Sequence, residues 1–160
     1  MSAVGPRSPP SSDAPFTVRD CDWSSAAPAL RRIRHAVFVV EQGVPEALEW
    51  DDADAHCVHV LAEDGRGEPI GCARLLDDGH IGRVAVAREW RGRGVGTALL
   101  LRLTERARQR GDTRVILNAQ VDAMPFYARH GFVASGGVFE EAGIPHRVME
   151  LALGSTTPTP

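Results

Sequence analysis

The sequence contains no lysine, and all 18 of its basic residues are arginine. This absence excludes a lysine nucleophile, a Schiff base on lysine and the lysine of a phosphate-binding P-loop. The arginines are outnumbered by 21 acidic residues, which gives a formal net charge of −3 and argues against a nucleic-acid partner. A long apolar run is also missing, as is the hydrophobic block of a signal peptide near the N-terminus, so we expect no membrane partner.

Cysteine is scarce as well. The three cysteines, Cys21, Cys57 and Cys72, are an odd number and lack the spacing typical of a metal site. Disulfides are rare in reducing compartments. We therefore expect free thiols, a cytoplasmic location and no bound metal.

The length and composition fit a single domain. A chain of 160 residues of which 43% are hydrophobic can bury a sizeable core. Residues 1–15 are rich in serine and proline and predict a disordered leader, and residues 154–160 predict a short disordered tail. The folded domain is therefore expected to span residues 16–153.

One stretch, residues 80–110, organises the rest of the chain. Residues 80–86 have the β-branched content of a strand, whereas residues 91–96 are too rich in glycine for either regular element. From Thr97 onward, apolar residues recur at helical spacing, at Leu99, Leu100, Leu103 and Ala107. The glycine-rich loop therefore opens a long helix.

Arginines stand at the start of this helix, where acidic or hydroxyl residues are usual. The first backbone N–H groups of a helix are unpaired, and its N-terminus is partly positive. Arg91 and Arg93 would be repelled there unless an anion bound beside them, and the glycines would let that anion approach the N–H groups closely. We interpret the loop as a binding site for a phosphate or pyrophosphate.

The other segments predict an α+β fold. The predicted strands are residues 16–19, 57–62, 69–76, 80–86, 115–117, 132–139 and 147–153, and the shorter helices are residues 24–37 and 122–130. Short turns separate the second, third and fourth strands, which predicts an antiparallel meander. The long helix joins the fourth and fifth strands, and such a connection makes neighbouring strands parallel.

Four stretches of the chain resemble a known family. Residues 91–96 fit the pattern Arg/Gln-x-x-Gly-x-Gly/Ala, with a strand before, a long helix after and the segment FYARHGF at residues 126–132. In this order they resemble the GNAT acetyltransferase superfamily. Residues 34–42 (RHAVFVVEQ) and 139–149 (FEEAGIPHRVM) are similar to its ElaA-like branch. The resemblance implies a mixed sheet of about seven strands, splayed between the fourth and fifth, with about four helices.

The resemblance also implies acetyl-coenzyme A as the donor and co-substrate. Backbone groups that would bind its pyrophosphate belong to Arg91, Gly92, Arg93, Gly94, Val95, Gly96 and Thr97. Main-chain groups that would bind the pantetheine arm belong to Val84, Ala85 and Val86. Tyr127, the only tyrosine, matches the family tyrosine that protonates the departing thiolate. The resemblance does not decide whether the amide of Asn118 or that of Gln120, if either, contacts the cofactor.

On the acceptor side, the resemblance implies an amine. An alkylamine with a pKa of about 10.4 is mostly protonated at neutral pH, so a general base is required. Four residues lie in stretches that the family places around the acceptor: Glu41, Asp51, His59 and His146. Among these we prefer Glu41 and His59 as catalytic residues, because burial would raise the pKa of a carboxylate or orient an imidazole.

An acidic segment lies between the first helix and the meander. Its carboxylates belong to Glu46, Glu49, Asp51, Asp52 and Asp54. Such a run predicts a solvated loop or, alternatively, a mouth that attracts a cationic acceptor.

We therefore expect an enzyme that transfers an acetyl group directly to the primary amine of a small molecule or peptide. An alternative from another class is a catalytically silent sensor that binds an acyl-coenzyme A. A dinucleotide-binding oxidoreductase fits less well, because the loop lacks GxGxxG spacing. The sequence leaves open the amine, the preferred acyl length and whether an edge strand near the C-terminus forms a homodimer.

Overall fold

The computed structural model describes residues 14–154 of the chain, so most of the predicted leader 1–15 and tail 154–160 lies outside the described residues. The described chain folds into seven strands: β1 (Phe16–Cys21), β2 (Val58–Asp64), β3 (Pro69–Leu75), β4 (His80–Val86), β5 (Arg114–Gln120), β6 (Val133–Glu141) and β7 (Ile144–Ala152). Its α-helices are α1 (Trp23–Arg34), α2 (Glu46–Glu49), α3 (Val95–Gln109) and α4 (Met124–Arg129).

All seven strands form one mixed sheet in the order β1-β2-β3-β4-β5-β7-β6. Only β4 and β5 are parallel, and they pair at two positions, His80 with Ile116 and Ile81 with Leu117. By contrast, β5 and β7 pair at seven positions along their whole length. The two central strands therefore separate beyond Leu117, which confirms the predicted splay between the fourth and fifth strands.

A β-bulge lies in β4 at the point where it leaves β5. Cys72 of β3 pairs with Ala85 and Arg74 pairs with Gly82, so Ala73 alone faces two residues of β4. One of these two, Arg83, has φ +51°, in the left-handed region that non-glycine residues seldom adopt. A bulge bends a strand and interrupts its ladder, which contributes to the opening of the sheet.

Helices cover both faces of the sheet. On one face α3 buries the apolar residues predicted for it, and it begins at Val95, earlier than the predicted start at Thr97. On the other face α1 packs Leu30 and Ile33 against Leu61 and Cys72 of the sheet. Two apolar layers therefore hold β4 and β5 in place even where these strands no longer pair.

A π-helical segment, His35–Glu41, continues directly from α1. Its turn is wider than that of an α-helix, because the Gln42 N–H donates at 3.1 Å to the carbonyl of Val37, which lies five residues earlier. Val37 and Phe38 are buried, whereas Glu41 and Gln42 lie at the end of the segment beside the splayed strands. π-Helical turns are rare and frequently occur at functional sites.

The C-terminal hairpin β6–β7 completes the sheet, and β6 forms its edge. Val133 and Val138 of β6 are 70% and 63% exposed. A homodimer through this edge stays a prediction. Within residues 14–154, none of the helices has the length and apolar character needed to cross a membrane.

Candidate functional site

The splay opens a cleft of about 970 Å³ through the centre of the molecule. Its walls come from β4 and β5, the loop before α3, α4, the end of the π-helical segment and the start of β7. Such a cleft is large enough for an extended cofactor and a second substrate.

The loop before α3 presents unpaired backbone N–H groups to this cleft. Gly94 is the N-cap of α3 and has no side chain to cap the helix, and the first turn contains no acidic residue. Gly92 and Gly94 have φ +74° and +86°, a conformation that glycine adopts without strain. The helix N-terminus therefore has no capping group, and anion binding there stays a prediction.

The two arginines of the loop have different positions. Arg91 lines the cleft, and its guanidinium donates to the Glu41 carboxylate at 2.5 and 2.7 Å and to the Val86 carbonyl at 3.1 Å. Arg93 lies outside the lining of the cleft, and its guanidinium is 5.9 Å from the Trp90 ring centroid. Repulsion at the helix start is thus relieved within the protein, because Glu41 neutralises Arg91.

The bulged strand β4 forms the wall beside the loop. Val84, Ala85 and Val86 all line the cleft. Because β5 no longer pairs with β4 beyond Ile81, the edge of β4 that faces β5 is open here. Open main-chain edges bind extended ligands through backbone hydrogen bonds, which suits a pantetheine arm.

Tyr127 of α4 reaches the cleft from the apolar core. Its ring packs edge-to-face on Phe126 and Phe132, at centroid distances of 5.1 and 5.8 Å. The side chain is 8% exposed, and this burial raises the pKa of Tyr127 to about 12. Within the described residues the hydroxyl has no hydrogen-bond partner, so its proton is available to a ligand.

The two candidate amides of β5 have different environments. Gln120 exchanges hydrogen bonds with Gln42, at 2.9 and 3.4 Å, and thereby ties β5 to the end of the π-helical segment. Asn118 also lines the cleft, is exposed and makes no side-chain hydrogen bond to the described part of the chain. Asn118 is therefore the amide that is free for a ligand.

Of the four residues predicted around the acceptor, His146 of β7 lines the cleft. Its Nδ1 lies 2.6 Å from the Ile144 carbonyl oxygen, which requires a proton on Nδ1 and leaves Nε2 as the accepting nitrogen of a neutral ring. The ring stacks on Phe139, and Nε2 lies 3.6 Å from Oε2 of Glu141. The orientation of this imidazole is thus fixed.

The other three predicted acceptor residues are not brought into the cleft lining. Glu41 binds Arg91, and that hydrogen bond lowers the pKa of its carboxylate. His59 is 1% exposed, lies 2.8 Å from the Asp54 carbonyl oxygen and has a pKa lowered by burial. Asp51 binds Arg74, which lowers the pKa of Asp51 to about 2. None of these positions favours proton transfer from an acceptor in the cleft.

The acidic segment is solvated in part, because Glu46, Asp51 and Asp52 are exposed whereas Glu49 and Asp54 are buried. Three of its carboxylates form an arginine–carboxylate cluster, defined here as Arg34, Arg74, Arg83, Glu49, Asp51 and Asp54. Glu49 and Asp54 are 3% and 2% exposed. The sequence does not predict the burial of Glu49 and Asp54, because the arginines that neutralise them lie outside the segment.

Asp54 also belongs to a group of potential metal ligands. Its carboxylate, the Cys57 thiol and the His59 ring have ligand atoms within 4.8 Å of one another. However, Arg34 and Arg74 both donate to Oδ1 of Asp54, at 2.8 and 2.9 Å. A cation would therefore meet two guanidinium groups, and this donor set does not suit a metal.

Several cleft residues were missed by the sequence reasoning: Glu49, Arg74, Arg83, Arg129 and Glu141. Arg83, Arg129 and Glu141 lie inside stretches that the sequence already marks, at residues 80–86, 126–132 and 139–149. No spacing rule distinguishes them there, because whether each side chain faces the cleft depends on how its strand or helix is oriented in the fold.

Comparison with known proteins agrees with this geometry. A family model described as acetyltransferase (GNAT) domain matches residues 24–153. The uncharacterized N-acetyltransferase YjcF of Bacillus subtilis is 39% identical over 121 residues, which cover 73% of this chain and 86% of YjcF. Protein ElaA of Escherichia coli is 38% identical over 126 residues, which cover 74% of this chain and 82% of ElaA. An acyl-CoA N-acyltransferase from Pseudomonas aeruginosa has a similar crystal structure, with a TM-score of 0.77 and 34% identity over 86% of this chain and 100% of that one. The chain is therefore an acyltransferase of the GNAT acetyltransferase family, in the branch that includes ElaA.

Proposed function

We propose that the protein transfers an acetyl group from acetyl-coenzyme A directly to the primary amine of a small molecule or peptide. The observation that carries this proposal is the cleft between β4 and β5, with an uncapped helix N-terminus and an unpartnered Tyr127 hydroxyl in its walls. The first feature suits a pyrophosphate and the second a leaving thiolate.

The residues of the cleft fit this donor. The N–H groups at the start of α3 would bind the pyrophosphate, and Val84, Ala85 and Val86 would hold the pantetheine arm. Arg129 lines the same cleft, is exposed and makes no ion pair with the described residues, so it would bind a further phosphate of coenzyme A. The bound donor supplies the thioester, whose C–S bond breaks as the amine nitrogen bonds to the carbonyl carbon.

Tyr127 donates its hydroxyl proton to the departing sulfur in this proposal. A pKa of about 12 makes the phenol a weak acid. Burial also raises the pKa of a thiol, because it disfavours the charged thiolate. In this chain burial raises the pKa of Cys21 and Cys57 to about 11. A thiolate expelled in the desolvated cleft is likewise a stronger base than in water, so the proton transfer is not steeply uphill.

His146 is the general base that the geometry supports. Its Nδ1 proton is held by the Ile144 carbonyl, which leaves Nε2 free to accept a proton from the attacking amine. The neighbouring Glu141 carboxylate stabilises the imidazolium that results. The silent-sensor alternative requires a cleft without a base, so the position of His146 argues against it.

The thiols of the chain support a cytoplasmic location. Cys21, Cys57 and Cys72 are all free. Unpaired thiols persist in reducing compartments, where disulfides are rare.

The proposal is tested in two steps. Calorimetric titration with acetyl-coenzyme A should show saturable binding, and absence of binding at high micromolar concentration would disprove this donor. Initial rates of thiol release over a broad panel of amines should then identify an acceptor. Binding without turnover of any amine would instead favour the sensor. Titration with propionyl- and butyryl-coenzyme A measures the acyl preference.

A further inference from the structure

We propose that the acceptor carries a carboxylate in addition to its amine, and that Arg83, together with Arg74, binds this carboxylate on the β3–β4 wall of the cleft. This inference rests on the proposed function and names the substrate class for the acceptor side of the same cleft. It is argued from the arginine–carboxylate cluster, whose cleft-facing members are the two arginines and Glu49.

Each carboxylate of the cluster is paired with arginine. Glu49 accepts from Arg34 at 2.8 Å and lies 3.1 Å from Nε of Arg83. Both oxygens of Asp51 accept from Arg74, at 2.8 Å each. Asp54 lies outside the cleft lining. An ammonium group on this wall would therefore meet neutralised carboxylates.

The arginines, by contrast, have donors to spare. Arg74 lines the cleft and is 6% exposed, and its Nε is buried without a hydrogen-bond partner in the described part of the chain. In Arg83, Nη1 makes no hydrogen bond within the described residues, and Nε is close to Glu49 without forming one. Both Nε atoms are themselves buried, so Nη1 of Arg83 is the donor that a ligand in the cleft would reach. An unpaired guanidinium N–H group on a cleft wall suits an anionic ligand.

The backbone of Arg83 supports a binding role as well. Its φ of +51° is unfavourable for a non-glycine residue. The bulge that requires this conformation places the side chain on the wall of the cleft, with 27% of its side-chain surface exposed. Strained backbone of this kind is concentrated at ligand sites.

The opposite side of the cleft has the complementary charge. There, across β5 in the sheet order, β7 contributes His146 and the hairpin contributes Glu141, whose carboxylate is 55% exposed. Arg91 is neutralised by Glu41. The acceptor region thus has a spare guanidinium donor at Arg83 and an exposed carboxylate at Glu141, which matches a molecule with a carboxylate and an amine.

The charge balance favours a carboxylate over a phosphate. The three arginines of the cluster are matched by three carboxylates, so the wall offers spare hydrogen-bond donors but no excess positive charge. A monoanion can use such donors without a large unbalanced charge. A phosphate dianion would need additional cations.

The test compares matched acceptors at saturating acetyl-coenzyme A. One triplet of acceptors is L-leucine, L-leucinamide and 3-methylbutylamine, which share an amine and an isobutyl group. Leucine has a carboxylate, leucinamide has a neutral amide in its place, and 3-methylbutylamine has neither. Equivalent triplets are built on a polar and an acidic amino acid. The phosphonate analogue of leucine tests the choice of anion. We expect at least one amino acid to exceed its amide in kcat/KM by about 10- to 100-fold, as charge-assisted hydrogen bonds would give.

Arg83→Met keeps the aliphatic stem and removes the guanidinium. It should lower kcat/KM for the amino acid by about 10- to 100-fold, mainly through KM, while rates with 3-methylbutylamine change less than about twofold. Arg83→Lys should restore part of the loss. The control is Arg66→Met, in the exposed turn between β2 and β3. Thermal melting and acetyl-coenzyme A affinity verify that each variant is folded.

The inference fails if amides or decarboxylated amines are equal or better acceptors, if Arg83→Met slows all acceptors equally, or if the phosphonate is preferred. Its failure differs from failure of the proposed function. If acetyl-coenzyme A binds but no amine turns over, calorimetric titration of L-leucine and L-leucinamide into the coenzyme A complex still tests the carboxylate site. Binding of the amide as tightly as the acid would then overturn it.

Discussion

Arg91 of the glycine-rich loop and Glu41 of the π-helical segment form a two-point ion pair, with N–O distances of 2.5 and 2.7 Å. The pair joins two parts of the chain that are 50 residues apart. One partner lies at the proposed pyrophosphate site and the other ends the segment that contributes Gln42 to the cleft. Glu41 therefore holds Arg91 in place, and through Arg91 it supports the glycine-rich loop.

The first prediction concerns this pair. Glu41→Gln and Arg91→Met should each raise the Kd for acetyl-coenzyme A by about three- to tenfold, and the double variant should be no worse than either single one, because contacting residues are energetically coupled. Calorimetry measures the four Kd values of this cycle.

The same variants decide whether Glu41 is a base. Arg91 lowers the pKa of Glu41, so the carboxylate is ionised at neutral pH but accepts a proton poorly. Glu41→Gln should therefore leave the shape of the pH profile of kcat unchanged. Loss of turnover in Glu41→Gln, with normal acetyl-coenzyme A affinity, would restore Glu41 as the catalytic base.

The second prediction concerns Tyr127. Tyr127→Phe should lower kcat by about 100-fold, because a general acid typically contributes that much or more. The Kd for acetyl-coenzyme A and the thermal midpoint should change little, since the hydroxyl has no partner in the described structure and the aromatic packing is kept. Stopped-flow and steady-state rates measure the first effect. An unchanged kcat would show that Tyr127 only packs in the core.

The third prediction concerns His146. His146→Gln should lower kcat/KM for the acceptor by about 100- to 10,000-fold and abolish the acidic limb of its pH profile, as expected when a general base is removed. His56→Gln is the matched control, because His56 is exposed and lies outside the cleft lining. If His146→Gln keeps the acidic limb, the base is another group.

The sequence predicts where the elements that form the donor side of the proposed site lie. Strand β4 has its predicted bounds, His80–Val86, and the loop, α3 and Tyr127 lie along the cleft in the expected order. The loop and the start of α3 are predictable because neighbouring residues encode both the glycine turn at positive φ and the helix start. The splay is likewise confirmed, although its bulge at Arg83 carries no local signal.

The acceptor side is predicted poorly because its chemistry depends on partners far apart in sequence. Glu41 is paired with Arg91 and Asp51 with Arg74, across 50 and 23 residues, and neither pairing is visible as spacing. His59 opens a strand, as expected, but faces the buried cluster. His59 of β2 stacks on Trp23 of α1, whereas His146 of β7 lines the cleft, so the strand on which each histidine lies decides its environment.

The fourth prediction concerns acid stability and Asp51. Hydrogen bonds from Arg74 lower the pKa of Asp51 from 3.8 to about 2 in the folded protein. A carboxyl group with a lowered folded pKa stabilises the protein above its unfolded pKa, and this stabilisation is lost as the pH falls toward the folded value. Urea midpoints of wild type and Asp51→Asn should therefore differ most near neutral pH and converge below about pH 4. The neighbouring Asp52→Asn is the control, since Asp52 is exposed and makes no ion pair within the described chain. A difference that stays constant from pH 7 to pH 3 would mean that Asp51 does not stabilise the protein through its charge, since Asn can still accept the N-cap bond from the Ala53 N–H.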